Sequence, residues 1–581
     1  MLPPVNPNIR QPGVPQVCLA AMKLFIRNPA GWACFVVLLQ FAWCAPAQVT
    51  VQIGQNFTGS TYGVNSSALP PDPNGNIGPK YFVEFINGTV AVYNKTNGLS
   101  VQRKSNLKFW SDAGLIISPD SDVTDPRVIY DPISQRWFAS QVDFDANAAA
   151  NGEDYTLEAN DFLFAVSASS DPTGAWHGFL FQADPDNGDF ADFPTMGVDS
   201  NAVYISGDMF HGQTNAVGPC LFSFPKADLL ANPPTTNNRT WFGVMDYSVR
   251  GQVLQPVTCF DGSSSGNILA VGDVGADSDF HSNLVSFAVQ NAAGSNATLS
   301  ASTDISVSPY VVPFNSDNID PPQGWFTVLQ RDDTTTLSGN DARFSARVYA
   351  VAGVLYAVHN TELNGRMAVR WYRISAANYA LLESGTIADT NLDLFFPCIA
   401  ANSNGTVIIG CNGSGLDTYV SCYAIAGQTV NGVTTFGNLI LLQSGGTSYH
   451  GDDEIYEELL GAPQLSRWGD YNTLSVDPAD PTRFWSIQMF PPPSDYSDVW
   501  STRITELITS RLLPRLSIAL AGTNVLVAWP SSTTGFQLQS ATNLDVPVAW
   551  SGVTQTRSTN GATISVLVPA SGSQQYFRLQ Q

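Results

Sequence analysis

Two distant segments of the chain carry one pattern. DFPTMGVDSNAVYISGDMF from Asp192 and DYNTLSVDPADPTRFWSIQMF from Asp470 both read Asp, aromatic, x, Thr, apolar, x, Val, Asp, then a turn and a second strand. Looser copies begin at Asp125 and Phe396, and weaker ones at Asp72, Pro256 and Asp341, making seven units. A repeated hairpin cannot bury its faces alone, so such a chain must stack its units against one another. The first residues of the seven second strands are Tyr81, Trp137, Val203, Ile268, Leu355, Val407 and Phe484, on average about 67 residues apart. That exceeds the ~40–50 residues of a minimal propeller blade, and the excess fits long loops between four-stranded units. The turns carry Asp-Pro, Asn-Gly or Asp-Gly, and the strands are rich in Val, Ile, Tyr, Trp and Phe. The pattern predicts an all-β chain: a seven-bladed β-propeller over 48–510, whose radial closure shields strand edges.

The flanks read differently. From Met22 two cations, an apolar stretch and Ala45-Pro46-Ala47 form a signal-peptide pattern, so residues 1–47 are expected to be a leader, with 1–21 a mis-called extension if Met22 is the true start. No later segment reaches the ~18 apolar residues of a membrane helix, and a secreted or cell-surface protein is expected. Of 26 Lys and Arg and 49 Asp and Glu, three cations and no acid precede that cleavage point, which leaves the mature chain at −26. A surface so acidic repels nucleic acid and anionic lipid but not calcium. A monomer is expected. Five cysteines remain: Cys220, Cys259, Cys398, Cys411 and Cys422. The odd number excludes complete pairing; Cys411 and Cys422 flank a hairpin and could bridge, while buried free thiols are the plainer reading. Residues 511–581 have short alternating strands and almost no charge, and predict a small immunoglobulin-like or fibronectin-like β-sandwich.

The stretches PPDPNGNIGPKYFVEFINGTVAVYNKTNG, DPRVIYDPISQRWFASQVDF, AVRWYRI, SRWGDYNTLSVDP and VWSTRI resemble a family of large secreted bacterial β-propeller proteins, loosely called sialidase-like or BNR-like, over most of residues 60–508. The ending GSQQYFRLQQ resembles a carboxy-terminal β-sandwich module common on exported proteins of some environmental Gram-negative bacteria. The resemblance implies the fold and an exported protein, and no activity.

In a propeller the residues just before each first strand gather at one mouth of the channel. Asp72, Asn74, Asp125, Arg127, Asp192, Asp341, Arg343, Arg467 and Asp470 are therefore the candidate ligand-binding set. The plainer reading makes each Asp a turn cap and each Arg a staple to a neighbouring unit. The sharper one makes Arg127, Arg343 and Arg467 a carboxylate-binding triad, with Tyr471 and Asp470 as nucleophile and acid of a sialidase-like site, although Asp-box repeats are missing. GSSSG at 262–266 lacks the strand–turn–helix setting of a nucleophile elbow. The five histidines show no ligand spacing. A structural Ca²⁺ is a candidate at DPDNGD, through Asp184, Asp186, Asn187 and Asp189, with further acidic groups at Asp143 and Asp145, Asp277 and Asp279, and 452–454. The leading expectation is a non-catalytic extracellular binding or scaffold protein with its ligand site at the channel mouth, the ligand a glycan or cell-surface component. The alternatives are a carbohydrate-active hydrolase or lyase using mouth carboxylates and arginines, and an adhesin-like protein.

Overall fold

The computed structural model describes residues 49–580 apart from 214, 273–279, 314–326, 334, 452–464, 512–515, 531–535, 545–547, 561–562 and 571–573. The expected leader lies outside these residues. The chain is all-β. Among the described residues the helices are short, the longest being Asn106–Asp112.

Seven antiparallel sheets of four or five strands follow one another, their first strands being Asn74–Ile77, Ser121–Asp131, Phe190–Val198, Gln252–Pro256, Tyr349–Val351, Asp393–Ala401 and Thr473–Val476. Tyr81, Trp137, Val203, Ile268, Leu355, Val407 and Phe484 each lie in the second strand of their sheet. The fifth sheet also takes Thr258–Cys259 in parallel, from the connection out of the fourth. The outermost strand of the seventh is Val49–Thr61, from the start of the described chain, paired antiparallel with Ser501–Arg511.

Apolar packing explains the order. Within a strand neighbouring side chains face opposite ways, and here both faces are covered. Val83 and Phe85 pack on the second sheet's Val128 and Trp137, while Phe82 and Ile86 pack on the seventh sheet's Trp485 and Ile487. The five further gaps include Phe138 and Phe162 with Val203 and Phe222, Tyr204 with Ile268 and Phe287, and Leu269 with Leu355 and Tyr372. Tyr356 and Val358 then meet Val407 and Ile409, and Ile408 and Cys422 meet Phe484 and Leu507. Each sheet thus lends one face to the sheet before it and one to the sheet after it.

Hydrogen bonds from each first strand to the neighbouring sheet close the same circle. Asn74 Oδ1 accepts from Val128 N (3.0 Å), Arg127 Nε donates to Pro194 O (2.6 Å), Thr195 Oγ1 to Leu254 O (2.5 Å) and Gln255 Nε2 to Phe344 O (2.7 Å). Phe396 N donates to Asn360 Oδ1 (3.0 Å), Asn472 Nδ2 to Phe396 O (2.9 Å) and Thr473 Oγ1 to Gly75 O (3.1 Å). Arg347, absent from the sequence-derived site, bonds Asn74 Oδ1 and Val128 O at the centre.

Cys411 and Cys422 do not bridge. Cys411 stands opposite Tyr423 and Asn412 opposite Cys422 in the register, which puts the two thiols on opposite faces of the sixth sheet. The five cysteines among the described residues are free and buried. Beyond Arg511, Ser517–Ala521, Asn524–Pro530, Thr563–Pro569 and Arg557–Asn560 form one sheet, and Ser551–Gly552, Gln537–Ala541 and Tyr576–Gln580 another. Val527, Trp529, Leu538 and Val566 form their apolar core. Among the described residues no helix is long and apolar enough to cross a membrane.

Candidate functional site: a carboxylate cluster where the first strands begin

The first strands of four sheets break register at one place: between Thr124 and Arg127, Asp192 and Thr195, Gln252 and Gln255, and Phe395 and Cys398. At each break a non-glycine residue takes positive φ: Asp125 (58°), Phe193 (48°), Val253 (51°) and Phe396 (47°). Asp72 (45°) does the same just ahead of Asn74–Ile77. Four of the five precede a proline, Pro73, Pro126, Pro194 and Pro397, which has no N–H for the ladder and favours a bulge. A left-handed conformation costs an L-residue roughly 1–2 kcal/mol, and here it recurs at the start of five of the seven sheets.

Two of these residues, Asp72 and Asp125, meet Asp470 from ahead of the seventh sheet's first strand. Carboxylate oxygens of Asp72, Asp125 and Asp470 lie within 4.8 Å of one another. Asp72 accepts the backbone N–H of Asp470 (2.8 Å) and Asn87 Nδ2 (2.8 Å). Asn87 Oδ1 in turn accepts the N–H of Asp125 (2.9 Å), so one turn residue orients two acids. Asp72 and Asp125 are buried, whereas Asp470 is partly exposed and paired with Arg467 at 3.0 Å. Burial first, and then the neighbouring Asp470, pushes the Asp72 carboxyl up to about 7. Asp125 is raised well above the ordinary carboxylate range by burial and by Asp72, Asp192 and Asp470. Like charges this close resist joint ionisation, and the cluster keeps protons at neutral pH.

The remaining acids extend the cluster. Asp192 reaches solvent, yet protein crowds it on several sides; its carboxyl is raised by that crowding and by Asp470. Asp208, in Ala202–Phe210, is buried and raised to about 7, chiefly by burial. It faces Arg343, Asp192, Asp341 and the Tyr247 hydroxyl. The half-buried Tyr155 senses Asp192, Arg467 and Asp125.

The arginines are placed otherwise than the triad reading expects. Arg343 holds Asp341 through Nε and Nη2 (2.8–3.0 Å), and that ion pair outweighs the cost of its burial. Arg467 takes Asp470. Arg127 donates to the Pro194 and Ser345 carbonyls and lies 3.5 Å from the Tyr471 ring centroid and 5.1 Å from that of Phe193. Tyr471 is buried, donates to Pro126 O (3.2 Å), and its hydroxyl is held well above the ordinary tyrosine range by burial. It packs against Arg127 and Phe193 rather than standing open beside the acids. Asn74 is buried in the circle of inter-sheet bonds rather than at the opening.

The DPDNGD loop does not gather ligands. Asp184 accepts the N–H groups of Asp186 (3.1 Å) and Asp189 (3.4 Å), Asp186 accepts Trp241 Nε1 (2.9 Å), Asp189 pairs with His211 (3.2 Å), and Asn187 is exposed. Its oxygens are spent on its own turn and on separate neighbours, as Asx turns do. Asp143 accepts Asp161 N, and Asp145 caps a short helix. Asp277, Asp279 and 452–454 lie outside the described residues. Among those residues, the three carboxylates in mutual reach are Asp72, Asp125 and Asp470, hard oxygen donors of the kind a divalent cation takes.

No protein-family model matches the chain, and no curated protein matches it in sequence. Among solved structures it is similar to a PL25 polysaccharide lyase, an ulvan lyase bound to a GlcA–Rha3S unit (11% identity, 79% of this chain and 96% of that one, TM-score 0.37). It is also similar to the GH93 α-L-arabinofuranosidase of Fusarium graminearum with arabinobiose (10%, 75% and 92%, 0.34). The extracellular domains of Drosophila Semaphorin 1b match as well (7%, 79% and 87%, 0.30). Likeness at this level says nothing of chemistry.

Proposed function

We propose that the chain is an exported seven-bladed β-propeller over 48–510, behind a leader at 1–47 and ahead of a small β-sandwich at 511–581, and that its mouth cleaves a glycosidic linkage. The observation that carries this is the set Asp72, Asp125 and Asp470, with carboxylate oxygens within 4.8 Å of one another. Two carboxyls about 5 Å apart, one keeping its proton, are the general acid and the nucleophile or base of glycoside cleavage. Asp125, held protonated by burial and its acidic neighbours, serves as the acid. Asp470, paired with Arg467 and partly exposed, is the carboxylate that meets the sugar. Asp72 positions Asp470 through its backbone N–H.

The charge balance names the substrate class. With Asp72, Asp125 and Asp208 keeping protons, Asp192, Asp341 and Asp470 are matched by Arg127, Arg343 and Arg467, and each arginine already has an oxygen or ring partner. A neutral glycan fits this mouth better than a sialic or uronic acid, whose carboxylate would have to displace Asp341 or Asp470 from its arginine.

A second reading keeps the mouth as a binding site without turnover. It is favoured by the deep burial of Asp72 and Asp125 and by their bonds to Asn87 and Asp470, which use them as staples between sheets. One experiment separates the two: incubate the chain with a panel of neutral and acidic polysaccharides, follow new reducing ends and bound glycan, and repeat with Asp470→Asn and Asp125→Asn. Cleavage of a neutral polysaccharide, lowered ~10²–10⁴-fold in either variant at unchanged melting temperature, supports catalysis. Binding without new ends supports the second reading, and neither outcome on any glycan overturns both.

A further inference from the structure

A second opening lies beside the acidic mouth. Its volume is about 300 Å³, and Phe144, Tyr155 and Phe190 form part of its wall. The three rings are packed together with Tyr155 in the middle, its centroid 5.5 Å from that of Phe144 and 5.6 Å from that of Phe190. A cavity of ~150 Å³ with apolar walls holds benzene, so this one admits a single sugar ring. Two strands lead from it to the acids. Phe190 stands two positions before Asp192, and Ser121 at the rim four positions before Asp125, about 7 and 13 Å along extended chain.

The charge around this opening has one sign. Asp143, Asp145, Glu153, Asp154 and Glu158 line it, and among the described residues that line it there is no Lys, Arg or His. Asp145 and Asp154 accept N–H groups of their own turns, and Asp143 accepts the N–H of Asp161 (2.7 Å). Glu153 and Glu158 are exposed, and their carboxylates bond to nothing among the described residues. Unspent carboxylates beside a wall of rings suit an organic ammonium ion, which draws on aromatic faces as well as on negative charge. A metal ion is suited less. Among the described residues Asp72, Asp125 and Asp470 are the carboxylates in mutual reach; the five here are too dispersed to close on one cation, and rings offer it no oxygen.

We propose that this pocket is a subsite for a sugar residue bearing a free, protonated amino group. The sugar lies against the aromatic wall, and its ammonium meets Glu153 and Glu158. The inference rests on the reading of the mouth as a glycan site, and it adds a cationic residue beside the neutral one at the acids.

Ligand-observed NMR on the full chain tests it with methyl glucosaminide, methyl N-acetylglucosaminide and ethylammonium. The acetylated sugar keeps the ring without the charge and ethylammonium the charge without the ring, so each is expected to bind about ten-fold more weakly than the amino sugar. Glu153→Gln with Glu158→Gln removes two carboxylates that bond to nothing in the free protein. The pair of changes is expected to weaken the amino sugar about five-fold at unchanged melting temperature. Asp495→Asn, at an exposed acid outside the pocket, is expected to leave that affinity as it was. Equal binding of the three probes, binding indifferent to the double variant, or an equal loss in Asp495→Asn would overturn the proposal. Selective binding of the amino sugar by a chain that cleaves no polysaccharide would count against turnover at the mouth and still support this subsite.

Discussion

The backbone N–H of Asp470 donates to the carboxylate of Asp72 at 2.8 Å across 398 positions of sequence. The bond joins the last sheet of the circle to the first, and it also sets the spacing of the acids. Replacing Asp72 with Ala leaves that N–H without its acceptor and takes from Asn87 Nδ2 one of its two, the other being Pro70 O (3.0 Å), at about 1–3 kcal/mol for a buried group left unpaired. Asp72→Asn keeps one acceptor oxygen and is expected to lose about half as much. Urea unfolding of the two variants beside the parent checks the order.

The raised acids make stability fall as pH rises. Asp72 and Asp208 both titrate at about 7 in the folded chain and near 3.8 when unfolded. Between those values the folded state binds more protons, so their contribution is complete below about 4 and is lost as pH climbs through 7. Thermal unfolding is expected at a higher temperature at pH 5 than at pH 8. Asp208→Asn, which cannot ionise, is expected to remove on the order of 2–4 kcal/mol of that difference.

Arg127 is held between Tyr471 and Phe193 and bonded to two carbonyls of other sheets. Arg127→Met keeps the apolar stem and loses the donors and the cation–π contact, with an expected cost of about 2–4 kcal/mol. Tyr471→Phe loses only the bond to Pro126 O and is expected to cost about 1 kcal/mol. Near-equal losses in chemical denaturation would contradict this ranking.

The five buried cysteines of the described chain are free. A thiol reagent is expected to modify none of them in the native protein and all five after denaturation without reductant. Fewer than five would mean a bridge that the opposed faces of Cys411 and Cys422 exclude.

Much of this architecture is legible in the sequence because hairpins are local. The turn residues and the β-branched runs that set Tyr81, Trp137 and Phe484 in second strands lie within a few positions of one another. The strand Val49–Thr61 is not legible as part of the seventh sheet, because its partner Ser501–Arg511 lies about 450 positions away and nothing local ties the two together. Asp72, Asp125, Asp192 and Asp470 could be gathered from repeat-equivalent positions before first strands. Asn87 and Asp208 could not: one reads as an Asn-Gly turn, the other as a single acid in an apolar strand. DPDNGD looked like a cation loop because composition counts oxygens, whereas the fold decides whether they converge. The arginines carried the same ambiguity, and local partners took them.

Because Val49–Thr61 completes the seventh sheet, a growing chain carries an unpaired strand edge at its front until Ser501–Arg511 has been made. The earlier sheets can form hairpin by hairpin, but the ring closes in a single late event that joins its two ends. A truncation that removes either end is therefore expected to cost cooperativity throughout the ring, not only in the sheet it shortens.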